Sequence, residues 1–321
     1  MNGNLTIEEI LQSKSETLAL DLLTPAEEAL SRAVDDPDIS SPGLALAGFT
    51  MRFRDGRMQV FGETEMTYLA ELDSATCRTR LEVLFEQPIP AVFVTKGQHV
   101  PELFLEIATR KSIPVIRTNL STKDFYRRIK PYLEVALAPT TTLHGSLADV
   151  YGVGLLFMGR SGIGKSECVL DLIERGHRLV ADDLVLTSKR GNDLLMGRGH
   201  ELQRHHMEIR GVGIIDVQAL FGIRAIRQQK RIEVVVQLED WDDTHSYDRT
   251  GLDGDVLEIL DVELPKVTVP LNPGKNITVI CEVVAMNHLL KYAGVDSAEG
   301  FDRRLREVLR PVREYLEEDY E

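Results

Sequence analysis

Gly159, Gly164, Lys165 and Ser166 stand in GRSGIGKSE (159–167) at the spacing GxxxxGK[ST]. Glycines at these positions let the backbone curl so that several N–H groups point inward, and a helix opening at the lysine adds partial positive charge. A loop of this kind cradles phosphate. Gly159, Arg160, Ser161, Gly162, Ile163, Gly164, Lys165 and Ser166 are the expected nucleotide-binding residues. Lys165 can reach β- and γ-phosphates, and the Ser166 hydroxyl can ligate Mg²⁺. A chance glycine-rich turn would lack the flanks the motif requires; here the apolar run LLFM precedes it and an amphipathic stretch follows.

A second feature lies just downstream, where HRLVADDLVL (177–186) reads as a strand carrying Asp182 and Asp183. Ligands of α/β sheets sit at the carboxyl ends of strands, so this pair can face the phosphates. One carboxylate could orient Mg²⁺ and its water while the other takes a proton from an incoming hydroxyl. Adjacent carboxylates also raise each other's pKa, which suits a base working near neutrality. Asp-Asp alone is a solvated, helix-capping turn; beside the loop it reads as functional.

Other polar residues carry bland readings. His144, by itself, caps a turn near a linker. Glu208 and Arg210 in MEIRGVGIID (207–216) fall on one face of a strand by alternation and could form a structural ion pair. His205 and His206 lack a third ligand at useful spacing and read as a surface or interface pair. DRTG (248–251) matches DxxG but no NKxD-type segment follows it, so a GTPase is not indicated.

These residues need elements to hold them. In the first part of the chain, LALAGF (44–49), MQVFG (58–62), AVFVT (91–95) and PVIRT (114–118) read as strands. They alternate with helical patterns such as ETEMTYLAEL and PELFLEIATRKS, which indicates an α/β layer. APTTTLHG (138–145) has proline, three threonines and no periodicity, and reads as a connector. The boundary is therefore expected near 130–140, with an α/β domain over 1–135 and a phosphate-loop domain over 136–321. In the second part, LLFM is a buried strand before the loop, and Val169, Leu172 and Ile173 form the inner face of the helix after it. Gly176 sits where a C-terminal glycine ends such a helix.

Composition narrows the partners. The 321 residues are 43% hydrophobic and 27% charged, as in a globular protein with a real core. A net charge of −14 argues against a nucleic-acid partner. Three widely spaced cysteines in no CxxC pattern argue against a disulfide framework or a zinc site. Neither a signal peptide nor a long apolar span is seen, so a cytoplasmic protein without a membrane partner is expected.

Taken with TTLHGSLADVYGVG, RGHRLVADD, MEIRGVGIID, YDRTG and VPLNPGKN, the loop resembles the HPr kinase/phosphorylase family over nearly the whole chain, most strongly from about 138 to 300. The resemblance implies an N-terminal α/β domain with a regulatory or assembly role. It also implies a C-terminal P-loop kinase domain related to the phosphoenolpyruvate carboxykinase core. The activity implied is ATP-dependent phosphorylation of a serine of the phosphocarrier protein HPr, and its reversal by inorganic phosphate with release of pyrophosphate. By match of position, His144, Lys165, Asp183 and Arg249 are the implied catalytic residues, with Asp183 as base one way and acid the other. Ser166 and Glu208 are the implied magnesium ligands, 207–216 serves both directions, and 270–275 serves mainly the reverse. A homohexamer is implied as well. Arg160 departs from the pattern, where many members carry Asp; this implies altered loop charge and nucleotide response, not another reaction class. Two other readings compete: a small-molecule kinase or carboxykinase relative, for which no decarboxylation-type metal constellation is seen, and an ATP-responsive binding module without chemistry.

Overall fold

Short apolar runs alternating with helices become two α/β units in the computed structural model, which describes residues 5–25, 27–242, 254–272 and 274–318. The units meet in sequence at Ala138 and Pro139.

The main sheet of the first unit has five strands, β1 (Leu20–Leu22), β2 (Ile39–Ser40), β3 (Met58–Phe61), β4 (Val92–Val94) and β5 (Val115–Thr118), and Leu5–Thr6 pairs separately with Ala33–Val34. The five lie in the order β1-β5-β4-β3-β2. β2 to β5 are mutually parallel and β1 runs antiparallel to β5. Such strands are buried on both faces, which explains why their sequences are runs rather than alternations. The longer helices are α1 (Ile7–Leu18), α2 (Glu63–Glu71), α3 (Ser74–Phe85), α4 (Glu102–Arg110) and α5 (Thr122–Ala136). Val92 and Val94 pack with residues of α2, α3 and α4, among them Leu69, Leu84 and Phe104, while Phe93 packs with Ile10 of α1 and Phe125 of α5. The stretch 44–49 is not a strand. Pro42 opens a helical turn over Gly43–Leu46, and Gly48, with φ 99°, ends it. Leucine and alanine favour helix, and nothing pairs with this segment to override that preference.

The second unit is a sandwich of three layers. Its strands are β6 (Thr140–His144), β7 (Ser146–Val150), β8 (Val153–Met158), β9 (Arg178–Ala181), β10 (Leu184–Arg190), β11 (Leu194–Gly199), β12 (His206–Ile209), β13 (Gly213–Asp216), β14 (Gln229–Arg231), β15 (Val234–Asp240), β16 (Val256–Ile259) and β17 (Val262–Leu271). The central sheet has the order β9-β7-β8-β15-β17-β16, and a second sheet has the order β14-β11-β10-β6. The helices α6 (Lys165–Glu174) and α8 (Ile277–Tyr292) cover one face of the central sheet through Val169, Leu172, Ile173, Cys281 and Ala285. Leu147, Leu156 and Val235 cover the other, against Val185 and Leu195 of the second sheet. A short helix, α7 (Val217–Phe221), follows the β12–β13 hairpin, and α9 (Ser297–Glu318) follows α8.

Three expectations change here. HRLVADDLVL is not one strand: Asp182 and Asp183 break it into β9 and β10, which belong to different sheets. The break is sharp because Asp183 adopts φ 65° and the Leu184 N–H donates to Asp182 O at 2.8 Å. The connector at 138–145 is largely β6, paired antiparallel with β10 from Thr140↔Ser188 to His144↔Leu184. Arg210 is not in a strand with Glu208 but follows β12 in the hairpin turn, where the Val212 N–H donates to Ile209 O.

α8 is pinned to the C-terminal end of α6 by a buried carboxylate. Glu282 accepts from Arg175 Nε at 3.0 Å and Nη2 at 2.8 Å, and lies 3.1 Å from His177 Nε2. The Arg175 hydrogen bond is the main cause that brings the Glu282 pKa down to about 2. A lowered carboxylate contributes stability above its ordinary range near 4.5, and loses it as pH falls from there toward about 2. Glu282→Gln is therefore expected to cost about 1–3 kcal/mol at pH 7 and less at pH 3, where part of the contribution is already lost. Thermal unfolding of both proteins at the two pH values checks this.

Candidate active site

β8 delivers the phosphate loop. Leu155, Leu156 and Phe157 are fully buried, with β7 antiparallel on one side and β15 parallel on the other. The chain leaves the sheet at Gly159 and re-enters regular structure at α6, whose N-cap is Gly164 with φ 104°. Only glycine takes that left-handed conformation without strain. Ile163 is buried in the core and anchors the loop from beneath. Lys165 Nζ donates to the carbonyls of Gly159 at 3.0 Å and Arg160 at 3.1 Å, so the ammonium lies inside the curl of the loop.

Arg160 turns outward and forms a two-pronged pair with Asp240 at the end of β15, Nε–Oδ2 2.6 Å and Nη2–Oδ1 3.0 Å. The hydrogen bonding lowers the Asp240 pKa and raises that of Arg160. Both groups are well exposed, so the pair orients more than it stabilises. It ties the loop to the neighbouring strand. Ser161 and Gly162 are exposed. A Cβ built on Gly162 would collide with the Arg210 guanidinium, so the hairpin turn brings a second cation onto the loop. No ion pair joins Arg210 to Glu208 among the described residues.

The two carboxylates separate by environment. Asp182 is buried, and its Oδ1 accepts from Ser166 Oγ at 3.0 Å and from Ser146 Oγ at 2.5 Å. The main-chain N–H groups of Asp183 and Glu208 also favour the charged form of this carboxylate. Burial pushes the Asp182 carboxyl above its ordinary range, against the pull of these donors. Asp183 points the other way. Its side chain is 56% exposed and its Oδ1 lies 3.4 Å from His144 Nδ1. The Leu184↔His144 register and the Gly145 N–H bonded to Asp183 O at 3.0 Å set this contact. One turn thus aims a shielded carboxylate at the loop serine and an open carboxylate at a histidine.

Hard oxygen donors therefore meet at the loop: the Ser166 hydroxyl and the Asp182 carboxylate. That donor set suits Mg²⁺ in type. No preformed group of three or more His, Cys, Asp or Glu side chains stands ready for a metal among the described residues. His206 is exposed, with Nδ1 2.9 Å from Arg204 O, and His205 has φ 68°. Of the segment 270–275, Gly274 and Lys275 line a cleft of about 450 Å³ together with Ile163, Gly164, Glu167 and Cys168, so it abuts the loop. Pro273 and Arg249 lie outside the described residues.

Sequence reasoning missed two contributors. Ser146 carried no motif, although it directly precedes the β7 run; its bond to Asp182 depends on where β9 ends. Arg210 falls within the implied segment 207–216, but no local spacing links it to Gly162.

A family model described as HPr Serine kinase C-terminal domain matches residues 135–305, and one described as HPr Serine kinase N terminus matches residues 5–133. An HPr kinase/phosphorylase of Chloroherpeton thalassium is 49% identical over 300 residues, covering 90% of this chain and 88% of its own length. One from an Exiguobacterium species is 45% identical over 284 residues, covering 88% and 91%. The solved Hpr(Ser) kinase/phosphatase of Coxiella burnetii is 34% identical, with a TM-score of 0.45 over 50% of this chain and 98% of that one.

Proposed function

The chain belongs to the HPr serine kinase family, and from that premise we propose that it transfers the γ-phosphoryl group of ATP to a serine of HPr. We propose further that it removes the group by phosphorolysis, in which inorganic phosphate attacks phosphoserine and pyrophosphate leaves. The observation that carries this reading is the Ser166–Asp182 hydrogen bond, which joins the phosphate loop to the carboxylate turn.

A serine hydroxyl is a poor nucleophile at its own pKa and needs a base. Asp183 is that base: it is open to an incoming hydroxyl and lies 3.4 Å from His144. In reverse, Asp183 must be protonated to give its proton to the departing serine oxygen. Lys165, with Arg249 and Mg²⁺, offsets charge on the transferring group. Ser166 and Glu208 would hold Mg²⁺, which would supply positive charge beside the phosphates, and Asp182 orients Ser166. Arg210 beside Gly162 adds a further cation. A cradle built for a β-phosphate also accepts free phosphate, so one loop serves both directions.

Asp182→Asn keeps the shape of the turn but weakens its hold on Ser166. It is expected to raise the Mg²⁺ concentration needed for half-maximal transfer by about 10–100-fold, as supporting residues of metal sites do. A Mg²⁺ titration of transfer at saturating ATP measures this.

We place the enzyme in the cytoplasm, as a homohexamer, with no nucleic-acid or membrane partner. Exposed apolar residues on α8, among them Val283, Met286 and Leu290, support assembly through the catalytic unit. The first unit, residues 1–135 by sequence, takes a regulatory or assembly role. The decisive experiment mixes the protein with ATP, Mg²⁺ and HPr, and reads one phosphate on an HPr serine by intact mass. ATP is then removed, inorganic phosphate added, and pyrophosphate assayed. No transfer in either direction would sink the reading.

A further inference from the structure

Cys168 and Cys281 are 113 positions apart in sequence, yet their sulfurs lie 4.0 Å apart. Cys168 sits in the first turn of α6, two residues after Ser166, and its N–H donates to Gly164 O at 3.0 Å. Cys281 sits on α8, fully buried. Neither has a part in the transfer described above. Cys168 also lines the cleft shared by the loop and residues 274–278 and keeps 5% exposure against 0% for Cys281, so it is the more accessible of the two thiols.

We propose that Cys168 and Cys281 form a reversible thiol-oxidation site that closes to a disulfide between α6 and α8. The oxidant class is a hydroperoxide. Its terminal oxygen is transferred to the Cys168 sulfur, giving a sulfenic acid and, from hydrogen peroxide, one water. The Cys281 sulfur then attacks the Cys168 sulfur; the S–O bond breaks, the S–S bond forms, and the Cys281 proton leaves with the hydroxyl as a second water. Two thiols are oxidised and one peroxide is reduced. The sulfurs already touch, so closure needs them to approach by about 2 Å, within side-chain rotation and small helix shifts. That movement is felt at Gly164, the N-cap of the helix that Cys168 belongs to. Cys77, half-buried in the first unit, provides an internal control.

The full-length protein is treated with hydrogen peroxide, remaining thiols are alkylated under denaturing conditions, and peptides are mapped without reductant. The expected product is a cross-linked pair of peptides containing Cys168 and Cys281, lighter by two hydrogens than the two thiol peptides and reversed by dithiothreitol. Cys281→Ser gives no such pair and carries oxygen adducts on Cys168 instead. ATP affinity, read from the single tryptophan, Trp241, is expected to fall several-fold on bridging and to recover on reduction. Absence of the cross-link, or its formation only with Cys77, overturns the proposal. A bridge that leaves ATP affinity unchanged overturns its action on the loop. The cross-link is read without ATP or HPr, so its failure and that of the transfer activity are distinguishable.

Discussion

Asp183→Asn is expected to lower transfer in both directions by about 10²- to 10⁴-fold, the usual worth of a positioned acid–base group. Nucleotide binding should stay near wild type. The substitution is nearly isosteric, and the left-handed backbone at this position, φ 65°, is one that asparagine also accepts. The side chain is half exposed, so no core contact is lost. The bond from Ser166 to Asp182 does not involve it, which leaves the loop's serine in place. Asparagine can still touch His144 but cannot take a proton from serine or return one. Initial rates of phosphate incorporation and pyrophosphate release, beside an equilibrium ATP titration, separate the two effects. A near-wild-type rate would move the base elsewhere, with Asp182 next in line.

Lys165→Ala is expected to strike the other half of the site. The Lys165 ammonium rests on the carbonyls of Gly159 and Arg160, inside the curl of the loop. Its loss removes the cation inside the curl of the loop and the donor that ties the loop's first carbonyls to its helix. Loss of one such electrostatic contact costs about 10²–10³ in rate. ATP affinity should fall as well, which distinguishes this variant from Asp183→Asn. Stability should change little, because alanine is the best helix former and the α6 core face of Val169, Leu172 and Ile173 is untouched. A melting curve that shifts by many degrees would mean that the lysine holds the fold, and the kinetic loss could not be assigned to the site.

Arg160 gains meaning from the structure. In sequence it is a basic residue in the phosphate loop with no evident partner. In the fold it pairs with Asp240 at the end of the adjacent strand, so part of the added charge is balanced locally and the loop is tied to β15.

The residues alone determined the local devices. The phosphate loop, its buried strand and the inward face of α6 were legible because each depends on neighbours within a few positions: glycine conformation, helix period and helix-end charge. The layered α/β architecture followed from the same local alternation of runs and helices. Other features were not legible, because they depend on pairing between distant segments. The threonine-rich run at 140–144 becomes a strand only because β10 lies beside it. HRLVADDLVL has strand character on both sides of its aspartates, and only the division between two sheets reveals a break there. That break is what separates a buried Asp182 from an exposed Asp183, a difference that two adjacent identical letters cannot encode. Arg210 reaching Gly162, Ser146 reaching Asp182, and Cys168 meeting Cys281 have the same origin. Their contacts are set by how strands and helices pack, and packing is a property of the whole unit.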